Sequence, residues 1–472
     1  MWKRALPALL LFACGDFGAT PGGVQDLNFA RDLIDQGQIP PASAFKVEGM
    51  LSEHDLPLEG PACETTLCLR GALALAPDEQ GEPAGWLQVG LSSNVDPQTF
   101  RRPSLAIIAT VDVSGSMGWG GGDEEHPTPG ELARKLLGKI QSQLGEGDQI
   151  AIVTYGSDVD VVLDPTRGDR HQQIQEAIDD LDTNGSTNME AGLERAYELA
   201  DELRGQADSV RIMLFTDEQP NVGATSGSEF ETMAKEGGQE GVGLTIFGLG
   251  LGLGTELMSA MAHVPGANAF SATTQEHLDQ LMEKSWPWMT VELARDLELS
   301  IEASGGVQVA SSYGFPTKEG GPSTALTAST VFLSKNRGAL LVRLTGSREQ
   351  LLGMELAARL RYRETGGELR TQTMALNLTG QTPNEAGELY QQRAVHQSIT
   401  LAVLVRAMEA ATTIYSKDRA EAARILEQAI ERFRRDQEIL RDPTFDRELE
   451  LVEKLLELVE QGAPQGSFYG AN

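Results

Sequence analysis

The chain has few of the residue types that carry most enzyme chemistry and most protein metal centres. Of its 472 residues only three are cysteine and six are histidine. None of the histidines stands in an HExxH spacing, and the sequence contains no GxSxG nucleophile elbow. The glycines at 248–254 lack the Lys-Ser or Lys-Thr pair of a phosphate-binding loop. We therefore expect a protein that is not an enzyme, and a hydrolase in the flanking regions is an alternative that no motif supports.

Basic residues are scarce relative to acidic ones. There are 38 Lys and Arg against 69 Asp and Glu, which gives a formal net charge of −31. Such a charge repels phosphate backbones and anionic lipid surfaces, so we expect no nucleic acid among the partners. The contents of hydrophobic residues, 40%, and charged residues, 23%, are those of a globular protein. The length predicts two to four folded units.

The sequence also lacks a hydrophobic run long enough to cross a membrane near its start. The apolar segment at 5–13 follows two basic residues and is far shorter than the ~20 residues that a membrane-spanning helix needs, but it fits an export signal. The segment ends in LFACG, which resembles the lipobox of bacterial lipoproteins, although Phe12 stands where a small residue is usual. The resemblance implies that Cys14 is the lipidated first residue of a mature protein exported to the bacterial cell envelope, held to the membrane only by that anchor. Ordinary cleavage after Ala19 is the alternative.

The other two cysteines, Cys63 and Cys68, flank the four residues ETTL. They are close enough in sequence to close a small disulfide loop, which suits an oxidising compartment. Free thiols are the alternative, whereas a zinc site would lack further Cys or His ligands. A disulfide here would leave Cys14 unpaired, as lipid attachment requires.

A polar motif follows the apolar run LAIIATV at 105–111, which predicts a buried strand. Asp112, Ser114 and Ser116 place one carboxylate and two hydroxyls on a single turn after that strand. These are hard oxygen ligands of the kind that a divalent cation such as Mg²⁺ prefers. Further along the chain, Thr187 lies in GSTNMEAGL and Asp217 in LFTDEQPN.

The three pieces, in this order, resemble the metal-ion-dependent adhesion site of von Willebrand factor type A domains. The resemblance implies that Ser114, Ser116 and Thr187 supply hydroxyl ligands and that Asp112 and Asp217 form the acidic pair. It implies Mg²⁺, or Mn²⁺ or Ca²⁺, as the cation. It also implies a protein partner whose Asp or Glu carboxylate fills an open coordination position, with the surrounding rim giving specificity.

Two features depart from that family. Glu218 replaces the glycine usual after the motif aspartate, and it could repel an acidic partner, act as an extra ligand or point to solvent. The loop at 118–126, GWGGGDEEH, offers Trp119 as a recognition residue on the rim, and its acids could occupy the site or bind a second cation. A loop without a role is the alternative. Thr183 competes for the threonine position, but the Thr-Asn pair at 187–188 matches the family better.

Strand and helix patterns alternate between residues 101 and 290. This alternation predicts an α/β fold with a doubly wound, mostly parallel sheet, in which ligands bind beyond the carboxyl ends of the strands. The resemblance implies that the sheet is of the von Willebrand A, Rossmann-like type. The predicted strands are 105–113, 149–155, 159–163, 210–216, 244–249 and 267–271, the third forming an antiparallel edge hairpin. The predicted helices are 131–144, 171–181, 189–203, 229–235, 256–263 and 275–284.

The flanking regions carry weaker patterns. We expect a lipoprotein signal peptide at 1–13, a tether with one short helix at 14–44, a small β-rich segment at 45–100, an antiparallel β-sandwich at 291–383, a helical region at 384–462 and a loose tail at 463–472. This layout resembles secreted bacterial A-domain lipoproteins. Two classes of function fit it: a metal-dependent binding module, or a structural component of an envelope complex in which the metal only stabilises the fold.

Overall fold

The structure is a computed structural model that describes residues 17–96, 99–119, 127–183, 185–217, 232–234, 236–238, 240–250, 267–314 and 321–466. It comprises an α/β unit, an antiparallel β-sandwich and a group of helices. The strands are β1 (Gly18–Thr20), β2 (Gly23–Val24), β3 (Cys68–Pro77), β4 (Pro83–Ser92), β5 (Leu105–Asp112), β6 (Gln149–Tyr155), β7 (Val159–Arg167), β8 (Ser209–Thr216), β9 (Val242–Leu249), β10 (Ala267–Ala272), β11 (Glu292–Ala303), β12 (Gln308–Tyr313), β13 (Ser323–Ser334), β14 (Leu340–Thr345), β15 (Glu355–Glu364), β16 (Leu369–Asn377) and β17 (Leu389–Tyr390). The helices are α1 (Asn28–Asp35), α2 (Val47–Glu53), α3 (Pro129–Gln141), α4 (His171–Asp179), α5 (Met189–Leu203), α6 (Gln275–Lys284), α7 (Trp286–Met289), α8 (Arg348–Leu352), α9 (Arg393–Ile414), α10 (Arg419–Leu440) and α11 (Asp446–Gln461).

The α/β unit is built on a sheet with the strand order β2-β10-β9-β8-β5-β6-β7. Every neighbouring pair is parallel except β6 and β7, which are antiparallel. The predicted mostly parallel sheet and its antiparallel edge hairpin are therefore confirmed. The sequence did not indicate β2, because a strand of two residues shows no periodicity.

Helices cover both faces of this sheet. Successive side chains of the central strand β5 point to opposite faces, and both sets are buried under helices. Leu105, Ile107 and Ala109 of β5 join one buried cluster with α3, α4 and α6. Ala106 and Ile108 join another with α5 on the opposite face. A central strand buried on both sides reads as a continuous apolar run, which is why β5 was recognisable from sequence. Of the two helices predicted at 229–235 and 256–263, only 232–234 falls within the described residues, and it is helical.

The β-sandwich corrects the predicted division of the chain. One layer has the order β17-β3-β4-β14-β12 and the other β13-β11-β15-β16, with β1 paired to both β13 and β4. The strands β3 and β4 come from the predicted β-rich segment 45–100, and they pair with strands from beyond residue 290. The segment therefore supplies two of the five strands of one sandwich layer rather than a separate unit, and the α/β unit is inserted between β4 and β11.

The three long helices near the C-terminus cover the sandwich, as the helical periodicity predicted. The helix α9 packs against β3 and β4, where Ala72, Ala74 and Trp86 join its core cluster. The alternate residues of the same strands, such as Leu73 and Leu87, face the sandwich interior. Among the described residues, the structure has no helix that is both long and apolar enough to cross a membrane.

The residues predicted as a tether are folded from residue 17 onward. We call residues 17–58 the N-terminal segment: it places β1 in the sandwich, β2 in the α/β sheet and α1 beside α11. Its predicted short helix is present as α1. The start of the predicted loose tail is also ordered, because the Gly466 N–H donates to the Ile39 carbonyl at 2.8 Å and the Ile39 N–H donates to the Pro464 carbonyl at 2.9 Å. Residues 1–16 and 467–472 lie outside the described residues.

Candidate functional site

The first part of the candidate site is the turn that follows β5. Asp112 ends that strand and is buried, and its Oδ1 accepts a hydrogen bond of 2.8 Å from the Ser114 N–H. A 3₁₀ turn from Gly115 to Gly118 then carries Ser116. The hydroxyls of Ser114 and Ser116 lie 3.0 Å apart, so the turn aims both toward the same point.

The parallel pairing of β5 and β8 brings the second part of the site to the same place. Val111 is paired with Phe215, so the residues that follow the two strands emerge side by side. The Ser116 hydroxyl donates to Asp217 Oδ1 at 3.1 Å. Residues about a hundred positions apart in sequence thus share one hydrogen-bonded cluster, at the carboxyl edge where open α/β sheets bind ligands.

The third part is the loop before α5. Its Gly185 carbonyl accepts a hydrogen bond of 3.0 Å from the Gly115 N–H, which ties this loop to the serine turn. Thr187 is fully buried in the loop, and the next residue, Asn188, caps α5 by accepting from the Ala191 N–H. The competing Thr183 is half-buried. It lies beside Gly118, where an added Cβ would come 2.9 Å from the Thr183 hydroxyl.

Two residues of the cluster were missed by the motif. The Thr216 hydroxyl donates to Asp112 Oδ2 at 3.1 Å, which orients that carboxylate. Tyr155, buried at the end of β6, donates to the Phe215 carbonyl at 3.5 Å. Burial raises the pKa of Tyr155 well above its ordinary value, and the negative charges of Asp112 and Asp217 raise it further. Thr216 directly precedes the motif residue Asp217, whereas Tyr155 is paired with Asp112 only through the ladder of β5 and β6, which the sequence does not show.

The helix α5 approaches β6 closely behind the site. At Gly192 an added Cβ would lie 2.7 Å from the Tyr155 ring, so only glycine allows this packing. The close approach fixes both the tyrosine and the N-terminal end of α5, where the Thr187 loop enters the helix.

The donors of this cluster suit a hard cation. They are carboxylate and hydroxyl oxygens, with no nitrogen or sulfur, and two of them carry negative charge. Within the described part of the chain, no group of three or more His, Cys, Asp and Glu side chains is placed to hold a metal. A metal at this site would therefore depend on Ser114, Ser116 and Thr187 as well as on the aspartates.

The rim of the site is described only in part. Trp119 directly follows the serine turn and its side chain is 72% exposed, so it is accessible to a partner. Glu218 and the acidic loop residues 120–126 lie outside the described residues, and the alternatives for their roles stay open.

Two of the three cysteines lie within the described residues. Cys63 and Cys68 are joined in a disulfide with a Cα–Cα distance of 5.7 Å. This loop lies against the sandwich, where the Gln372 amide donates to the Thr65 hydroxyl at 3.2 Å. Cys14 lies outside the described residues.

Comparison with known proteins gives the following relatives. Residues 107–219 match the family model of the von Willebrand factor type A domain. The Escherichia coli (strain K12) protein YfbK is 31% identical over 283 residues, which cover 58% of this chain and 47% of that protein. The chain thus spans about half the length of the curated relative it matches.

One solved structure shares the fold beyond the matched residues. A von Willebrand factor type A protein from Catenulispora acidiphila superposes with a TM-score of 0.52 at 13% identity, covering 87% of this chain and 99% of that one. The ArnB paralog VWA2 from Sulfolobus acidocaldarius has a TM-score of 0.44 at 15% identity, covering 85% and 99%. The first of these shows a shared fold. Domains of this family serve in general in protein–protein interaction and adhesion. The chain contains a von Willebrand factor type A domain, the α/β unit described above.

Proposed function

We propose that the protein is an exported, lipid-anchored binding protein of the bacterial cell envelope. In this proposal its A domain engages a protein partner through a divalent cation, Mg²⁺ or else Mn²⁺ or Ca²⁺. The cation is held by Asp112, Ser114, Ser116, Thr187 and Asp217. The observation that supports it is the hydrogen-bonded cluster of two serine hydroxyls and Asp217 beside the buried Asp112.

The chemistry of the cluster favours recognition over catalysis. A cation bound mostly by neutral hydroxyls keeps positive charge, which a carboxylate of a partner Asp or Glu can balance. The exposed indole of Trp119 beside the site supplies an aromatic contact of the kind enriched in protein interfaces. We propose no reaction at the site.

The test is capture of partners by the full chain under three conditions. Immobilised protein is exposed to a cell-envelope extract in Mg²⁺, in EDTA, and in Mg²⁺ with the variant Asp112→Ala. The matched control is Asp160→Ala, which removes an exposed carboxylate from the edge strand β7. We expect one set of proteins that is lost with EDTA and with Asp112→Ala but retained by Asp160→Ala. Capture of the same proteins in EDTA and by Asp112→Ala would refute metal-dependent binding.

A structural role is the second candidate. The A domain is inserted in the sandwich, and the N-terminal segment contributes strands to both sheets, so these units are joined into one body. In that case a cation would stabilise the fold and raise the melting temperature, while partner capture would be insensitive to chelator.

The proposed anchor is tested separately. Growth with a radiolabelled fatty acid is expected to label the wild-type chain and to leave Cys14→Ser unlabelled. Equal labelling of both, or an N-terminus that begins at residue 20, would refute lipidation at Cys14.

A further inference from the structure

A polar cleft lies where the N-terminal segment, the A domain, the sandwich and α11 meet, away from the candidate metal site. Its volume is about 240 Å³. The side chains that matter for its chemistry are Asp26, Asn268, Phe270, Trp288, Leu333 and Lys335.

Asn268 presents a hydrogen-bond acceptor that lacks a donor. The residue is 1% exposed, and its Nδ2 donates to the Met289 carbonyl at 3.2 Å, which fixes the orientation of the amide. No donor among the described residues reaches its buried Oδ1. Buried carbonyl oxygens in proteins are almost always hydrogen-bonded, so an unsatisfied one on a residue that lines the cleft indicates that a donor belongs there.

Asp26 adds a buried carboxylate that has no counter-ion among the described side chains. Its two oxygens accept from the Asn28 N–H at 3.1 Å and the Ser271 N–H at 2.9 Å. The described side chains form no salt bridge with it, and burial, with a contribution from the charge of Glu53, raises the pKa of Asp26 to about 7. A cation placed in the cleft would compensate this charge.

The other walls limit what the ligand can be. Phe270, Trp288 and Leu333 add apolar side chains to the lining, which suits a hydrocarbon stem. The Trp288 ring also packs against Phe17 and Phe100, with ring centroids 4.5 and 5.3 Å apart. The carboxylate of Glu53 is already bound by Arg31 and Arg447. Lys335 and Arg447 also line the cleft. An anionic group placed beside Asn268 and Asp26 would nevertheless face an unsatisfied oxygen and a carboxylate, and would be repelled by both.

We propose that this cleft binds a ligand that carries a primary ammonium group on an apolar stem. The ammonium donates to Asn268 Oδ1 and to the Asp26 carboxylate, while the stem lies along Phe270, Trp288 and Leu333. The ammonium can come from a free amine or from a lysine side chain of another protein. The proposal is independent of the metal site.

The test uses three probes of matched size with the full chain in EDTA. Saturation-transfer NMR measures the affinity for phenethylammonium, for neutral 2-phenylethanol and for anionic 3-phenylpropionate. We expect phenethylammonium to bind at least tenfold more tightly than either of the others. Equal or tighter binding of the neutral or anionic probe would overturn the proposal.

Variants assign the binding to the cleft. We expect Asp26→Asn and Asn268→Leu each to weaken phenethylammonium binding at least fivefold. Asp279→Asn, on the exposed face of α6, is the matched control and should leave it within twofold. Unchanged binding in both cleft variants would refute the site.

One further variant tests whether the probe occupies the cleft, and one further probe distinguishes the two sources of the ammonium group. Ser334→Lys places an internal ammonium at the half-buried edge of the cleft and is expected to abolish probe binding, and retained binding would count against the site. Nα-acetyl-lysine methylamide stands for a lysine side chain. Tighter binding than phenethylammonium assigns the site to a protein lysine, and weaker binding assigns it to a free amine.

Discussion

Replacing Glu448 with glutamine is expected to release the N-terminal segment from the rest of the protein. Glu448 is fully buried in α11. Its carboxylate binds Arg31 of α1 at 2.7 Å and His54 at 3.2 Å, and Arg447 donates to it at 3.0 Å. The charge of one side chain thus holds both helices of the segment.

The expected loss of stability follows from the pKa of the Glu448 carboxyl. Burial alone would raise the pKa of Glu448, but the hydrogen bond with His54 and the positive charges of Arg31 and Arg447 lower it to about 2, from an ordinary value of 4.5. A shift of this size corresponds to about 3 kcal/mol in favour of the ionised, bound form. Because the folded-state pKa is depressed, this stability is present above pH 4.5 and is lost as the pH falls toward 2.

Hydrogen exchange measures the effect where it should occur. At pH 7 we expect Glu448→Gln to speed amide exchange in α1 by roughly a hundredfold, the kinetic equivalent of about 3 kcal/mol of local opening. Exchange in the central strands β5 and β6 should stay unchanged. The matched control is Glu450→Gln, whose exposed side chain makes an i,i+4 contact of 3.0 Å with Lys454. We expect Glu450→Gln to lower the free energy of unfolding by at most about 0.5 kcal/mol. Equal effects of the two variants on amide exchange in α1, or equally faster exchange in β5 and β6, would show that the charge of Glu448 does not hold the N-terminal segment.

Three further predictions follow from the contacts described above. Because the pKa of Asp26 is raised to about 7, wild-type stability should fall by a few kcal/mol as the pH rises from about 4 to 7, and Asp26→Asn should flatten that fall in pH-dependent melting. Gly192→Ala should lower stability by about 1–3 kcal/mol by forcing a Cβ against a buried ring, whereas Gly138→Ala, where the nearest atom to an added Cβ is Gln175 Oε1 at 3.9 Å, should raise stability slightly in chemical denaturation. Alkylation without reductant should leave Cys63 and Cys68 unmodified, and reduction should add two labels and cost about 2 kcal/mol.

The sequence predicted the A domain well because its signals are local. The strands predicted at 210–216 and 267–271 are observed as β8 and β10, each within one residue at either end. Apolar runs of this kind can be recognised as buried strands from their own residues, without knowledge of the rest of the chain. The helix predicted at 131–144 begins slightly earlier, at Pro129, because Thr128 forms a capping box with Glu131.

The division into domains could not be predicted in the same way. Leu341 of β14 pairs with Gln88 of β4, more than 250 positions earlier, and such pairing leaves no mark in either strand. For the same reason the N-terminal segment looked like a tether. Its Gly- and Pro-rich sequence hides β1, whose three residues pair with both β13 and β4, and β2, whose two residues extend the α/β sheet beyond β10.

The candidate site was predicted in its motif residues and missed in its supporting ones. Asp112, Ser114 and Ser116 form a recognisable pattern because their spacing is short. Thr216 and Tyr155 act through strand pairing, so only the fold brings them to the site.

Calorimetric titration of the full chain with Mg²⁺, Mn²⁺ and Ca²⁺ measures whether the motif side chains bind a cation. We expect one site per chain that is lost in Asp112→Ala, weakened in Ser116→Ala and retained in Asp160→Ala. Absence of binding for all three cations in the wild type, or equal binding in Asp112→Ala, would contradict this expectation.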